Sequence, residues 1–170
     1  MSKYEEIVRV YSRARKDFVD NKVACSEFAR ELVLGMIDYF EWPQDREVTY
    51  IPLDEELDPN NKFYALAGAM RLDDQAFWHF GLALNLAEIS GINPMSLVFS
   101  FFIKQSGTDF MVRLGTEGQV YKIPSDKRGD DLGPFYDRVL HEIEAFMKAN
   151  LVHALAGKRV KSTFISVMAE

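Results

Sequence analysis

Residues 97–104 are apolar at nearly every position, and on a strand this divides them between two faces. Leu97, Phe99, Phe101 and Ile103 line one side, while Val98 and Phe102 line the other. A strand that is apolar on both sides needs cover on both sides, so it belongs at the centre of a sheet. Whatever packs on the first face, something must also shield the second.

The segments around it have the same period. Residues 76–87 alternate between a bulky set (Trp78, Phe80, Leu82, Leu84, Leu86) and a small or polar set (His79, Gly81, Ala83, Asn85). Residues 62–72 repeat that contrast, with Tyr64, Leu66, Met70 and Leu72 against Ala65, Ala67, Ala69 and Arg71. This predicts a hairpin turning at Asp73, Asp74 and Gln75. Turn residues at 106–108 and 116–118 separate two further short strands, 109–114 and 119–123. Gaps this short admit antiparallel pairing only, because parallel pairing needs a long crossover. A short strand at 47–53, with Pro52 confining it to an edge or end, completes the sheet.

Helical periodicity brackets the strands. Ser2 followed by Glu5 is a capping-box pattern. After it, Tyr4, Ile7, Val8, Tyr11, Ala14, Phe18 and Val19 recur at helical spacing and predict one buried stripe. Asp20, Asn21 and Lys22 read as a break before a second helix over 23–40, with Phe28, Leu32 and Met36 inward; one long bent helix is the alternative. Phe135, Val139, Ile143, Phe146, Met147, Leu151 and Ala154 mark a final helix that Gly157 can stop. The expected fold is α+β: a two-layer antiparallel meander sheet packed against N-terminal and C-terminal helices. The chain reads as a single compact domain over 1–170, with 156–170 an extended or docking tail whose residues 160–168 have strand-like composition.

Composition narrows the function. The formal net charge of -6 repels phosphate backbones, so nucleic acid is not an expected partner. Lys158, Arg159 and Lys161 form the densest basic group and read as solvated surface. The lone Cys25 excludes an internal disulfide and reads as a small core residue. The N-terminus carries no signal peptide or presequence pattern, and no apolar run reaches the roughly 20 residues of a membrane span. A cytoplasmic protein without membrane contact is expected.

Chemical motifs are sparse. His79 falls on the small face of its strand; His141 and His153 lie twelve residues apart on the last helix, too far to share a metal. Asp54, Glu55, Glu56 and Asp58 lack the spacing and glycine of a calcium loop. Asp109, Glu117 and Lys122 make a nuclease-like trio only if their strands bring them together. The glycines at 115, 118, 129 and 133 fit no phosphate loop, and Ser96, Ser100 and Ser106 fit no nucleophile elbow. No cofactor, metal or catalytic residue is therefore assigned. The expectation is a non-catalytic protein-binding module, adaptor or chaperone-like, or a homo-oligomer, acting through a sheet face or an exposed helix stripe. On the sheet face its contacts are Val98, Phe102, Ala65, Ala67, Gly81 and Ala83. The alternatives are a small hydrolase or nuclease with an acidic metal cluster and a small domain that binds an apolar ligand.

Overall fold

The computed structural model describes residues 2–45, 47–53, 63–86, 95–126, 132–155 and 165–169. Among these residues seven strands form one antiparallel sheet: β1 (Val48–Ile51), β2 (Arg71–Leu72), β3 (Trp78–Leu86), β4 (Met95–Ser106), β5 (Asp109–Leu114), β6 (Val120–Pro124) and β7 (Ile165–Ala169). The main path runs β1-β3-β4-β5-β6, with β2 also beside β3 and β7 also beside β4. Helices α1 (Lys3–Tyr39) and α3 (Gly133–Leu155) form the second layer, and α2 (Leu66–Ala69) is a single turn. The two-layer meander expected from the alternation is the observed fold.

The apolar strand is the centre of the sheet. β4 pairs with β3 from Met95 to Ile103, setting Phe99 opposite Leu82 and Phe101 opposite Phe80. Its other edge is shared: β5 pairs with its second half, from Phe101 to Ser106. The chain's tail takes the first half, where Ile165 lies opposite Phe99. Residues 165–169 are thus an edge-filling strand. Residues 156–164, with Gly157 and the basic group at 158, 159 and 161, lie outside the described residues, as do the acidic loop at 54–62 and the breaker at 87–94.

The bulky face carries the core. Phe80, Leu82, Leu84, Leu97, Phe99, Phe101, Ile103 and Val112 are buried against Cys25, Ala29, Leu32, Val33 and Met36 of α1 and Phe135, Tyr136, Val139 and Phe146 of α3. Phe28 of α1 stacks on Phe110 of β5 with ring centroids 4.1 Å apart. Burial pushes the Cys25 thiol up, a shift that a backbone hydrogen bond at Gln105 opposes. The two helices meet closely at Gly35 and Tyr136, and Tyr39 Oη of α1 also donates to Asp137 of α3 at 2.6 Å. Tyr136 Oη donates to the carbonyl of Leu32 at 3.0 Å. A Cβ on Gly35 would stand 2.5 Å from the same Tyr136 Oη. Burial, and secondarily the charge of Asp38, push the Tyr136 phenol up to about 12.

Three expectations need correction. The predicted strand over 62–72 is reduced to two residues; the helical turn α2 takes its middle, and Tyr64 makes only an isolated bridge to Tyr50. Alanine and leucine favour helix and give no β-branched support to a strand. Leu66, Ala69 and Met70 are buried at helical spacing, and Arg71 closes the turn by donating to the carbonyl of Gly68 at 2.7 Å. Second, the break at residues 20–22 is absent and α1 runs unbroken through them, as in the one-helix alternative. Asn21 disfavours helix when its side chain competes for nearby backbone. Here that side chain is engaged elsewhere, accepting from Trp78 Nε1 at 2.8 Å and donating to Gln105 Oε1 at 3.4 Å. The third correction concerns the stripe from Tyr4 to Val19. Its residues do share one helix face, but they are exposed rather than buried.

Candidate functional site

The reverse face of the sheet is where the sequence located a binding surface. The structure brings four of the six named residues together there: Ala83 is opposite Val98, and Gly81 and Phe102 lie further along the same two strands. All four are buried. Ala65 and Ala67 are exposed, but on and beside the α2 turn rather than on a strand next to Gly81 and Ala83. With that strand absent, the six do not form one surface.

Cover on this face comes from within the chain. β1 and the residues after it close over Gly81 so tightly that a Cβ there would stand 2.6 Å from Ile51 Cγ1 and 2.9 Å from Leu53 Cδ2. Phe102 stacks on His79, with centroids 5.4 Å apart, and is capped by the Arg113 guanidinium at 4.8 Å. Arg113 also covers Phe77 at 4.6 Å, donates to Gln75 Oε1 at 3.1 Å and lies 3.8 Å from Asp73. Lys104 donates to the Gln75 carbonyl at 3.0 Å and lies over Phe77. Register thus assembles Arg71, His79, Phe102 and Arg113 into one cross-strand row. Arg113 sits on the ring face of Phe102 that a stacked base would need.

Those acidic and histidine candidates that fall within the described residues are scattered, and Asp54, Glu55, Glu56 and Asp58 lie outside them. Lys122 pairs with Asp109 at 2.9 Å, at the end of the β5–β6 hairpin where Asp109 faces Pro124. Glu117 is in the turn at the other end. His79 is buried in the sheet, and His141 is exposed on α3. No group of three His, Cys, Asp or Glu side chains among the described residues is placed to hold a metal. A cleft of about 170 Å³ lies between α1, β5 and the start of α3, lined by Phe28, Leu32, Phe110 and Tyr136 with Glu27 and Glu31. It is smaller than the roughly 300–1,000 Å³ of most small-molecule sites.

The feature that sequence reasoning misplaced is the first half of α1. The helix begins with both bonds of the capping box: Glu5 N–H donates to Ser2 Oγ at 3.1 Å and Ser2 N–H donates to Glu5 Oε2 at 2.6 Å. Among the described residues, its first ring contact with the body is at Phe18, which meets Trp78 at 5.3 Å. Residues 3–17 therefore extend about 22 Å beyond the sheet at 1.5 Å per residue. Tyr4, Ile7 and Tyr11 are 75%, 67% and 63% exposed on this projection. Their face is continuous with the core: Tyr4, Tyr11, Phe18, Cys25 and Leu32 recur every seven residues, as do Ile7, Ala14, Asn21 and Phe28. The same seam is buried where the sheet lies against it and bare where the sheet ends.

Among the described residues no helix is long and apolar enough to cross a membrane. Comparison with protein-family models, with curated proteins and with solved structures finds no match.

Proposed function

We propose that this chain is a non-catalytic protein-binding module, an adaptor or chaperone-like protein of the cytoplasm, working through the apolar stripe on the projecting half of α1. The observation that carries the reading is the stripe itself. Tyr4, Ile7, Val8, Tyr11, Phe18 and Val19 leave on the order of 600 Å² of mainly apolar side chain in water, at the upper end of what monomeric proteins expose in one patch. A helix of some fifteen residues without tertiary packing is only marginally stable. A partner laid along the stripe would remove both costs, as amphipathic helices do when they enter a groove or pair with another helix.

A photo-crosslinking residue placed at Tyr11 in the native cell tests this. The expected result is a discrete adduct, absent when the crosslinker stands at the exposed Glu117 and lost when Ile7→Asp is added. No adduct at position 11, or equal adducts at 11 and 117, would overturn the reading.

A further inference from the structure

Resting on that reading, we propose that the partner along the stripe is a second copy of this chain, its α1 antiparallel to the first, about a two-fold axis between Ser12 and Arg13. Side-chain volumes alternate along the seam. Within the projection, every first heptad position is aromatic (Tyr4, Tyr11, Phe18), and every fourth is smaller (Ile7, Ala14, then Asn21). In an antiparallel pair, knobs at the first position enter holes beside the fourth position of the other helix. An axis between residues 12 and 13 sets Tyr11 against Ala14 of the second copy and the exposed half of Phe18 against its Ile7, and brings Tyr4 level with its Asn21, whose side chain is held by Trp78 and Gln105. Two-fold symmetry then repeats each contact in reverse, so one surface is complementary to itself and the assembly closes.

The flanks agree with this register. It places Val8 beside Arg15 of the second copy and Val10 beside its Asp17. No like charges are forced together along the seam. The exposed Val10 is thereby covered as well. With some 600 Å² offered by each copy, the contact approaches the roughly 800 Å² per partner of a standard stable interface.

The body of the protein selects the direction. From Phe18 onward the seam carries the chain's own sheet, through Trp78 and then the core. A parallel partner would bring its sheet to the same face at the same height, and the two sheets would collide. It would also stack Ala14 on Ala14, leaving a gap between aromatic layers. An antiparallel partner puts its body beyond the opposite end of the pair. The tip of each helix then ends near the Asn21 and Trp78 edge of the other copy, so the exposed seam continues into a covered one.

Sedimentation over a dilution series tests the pairing, and spin labels test its direction. The expected result is a dimer that dissociates on dilution. Ala14→Glu should weaken it by roughly 100-fold or more, because an unpaired carboxylate would be buried against Tyr11. The body's unfolding midpoint should stay unchanged, since residue 14 precedes the first ring contact with the sheet. Labels on Lys3→Cys in a Cys25→Ala background should lie about 30 Å apart, against roughly 10–15 Å for parallel helices. A wild-type monomer at 200 µM, taken as roughly the upper working concentration for a micromolar complex, overturns the proposal. So does a dimer indifferent to Ala14→Glu, or the short label distance. A monomer whose Tyr11 crosslinker still forms a stripe-dependent adduct overturns self-pairing alone; a monomer without any such adduct overturns the binding reading too.

Discussion

Truncating Phe99 to alanine is expected to destabilise the protein by about 3–5 kcal/mol, the cost of deleting a large buried aromatic and leaving a cavity. Phe99 has no exposed surface, lies at the centre of β4, and is flanked by Leu82 on β3 and Ile165 on β7. Both neighbours are held by strand pairing, which limits how far the site can collapse around the missing ring. For a domain of this size the loss corresponds to a fall in melting temperature of roughly 10–15 °C. Tyr11→Ala is the matched control. It removes an aromatic ring of similar size from the same chain, but from the projection, where 63% of it faces water. In dilute protein it should leave the body's stability within about 0.5 kcal/mol of wild type. Chemical denaturation of the two variants separates the buried part of the apolar pattern from the exposed part.

Gly35→Ala should also destabilise, by about 2–4 kcal/mol, although glycine in a helix interior ordinarily costs about 1 kcal/mol relative to alanine. The sign reverses because the added methyl would stand 2.5 Å from Tyr136 Oη. That hydroxyl is buried and cannot swing aside without giving up its bond to the Leu32 carbonyl, so overpacking and a lost hydrogen bond act together. Tyr136→Phe removes the obstructing oxygen. The next ring atom is 3.4 Å from where the methyl carbon would stand, a tight but tolerable contact. In that background Gly35→Ala should be nearly neutral. A double-mutant cycle by urea unfolding should therefore give a coupling about equal to that whole cost, roughly 2–4 kcal/mol, at the upper end of what residues in direct contact show. Additive effects would show that α1 and α3 are not locked at this point.

Much of the fold is legible in the sequence because most of it follows a simple period. Alternation locates β3 through β6, the two-sided run at 97–104 locates the central strand, and helical spacing locates α3. The errors arise where a local pattern has more than one tertiary outcome. Residues 64–72 satisfy both a two-residue and a three-to-four-residue period, and their alanine-rich composition settles the matter for helix. Asn21 reads as a break because its partners, Trp78 and Gln105, are far away in sequence. The reverse sheet face reads as needing an outside partner because nothing local announces that Ile51 and Leu53 close over Gly81, or that Arg113 caps Phe102.

The stripe on α1 misleads for a related reason. Periodicity identifies the apolar face of a helix but not what that face meets. Length supplies the missing constraint once the helix is taken as continuous. Thirty-seven residues span about 55 Å, whereas the longest strand, of 12 residues, spans about 40 Å. Reading a break at residues 20–22 hides this mismatch. With α1 intact, one seam supplies the core where the sheet is present and, in the function proposed here, a binding surface where it is not. On that proposal, function rests on a continuation of the same pattern that folds the protein.

Amide hydrogen exchange along α1 tests that claim most directly. At protein concentrations in the range of tens of micromolar, typical for micromolar association, amides of residues 8–17 should be protected. Ala14→Glu should remove that protection while residues 29–36, packed on the sheet, keep theirs. Equal exchange of residues 8–17 in the wild type and in Ala14→Glu, with residues 29–36 protected in both, would contradict a covered stripe and with it the proposed way this protein works.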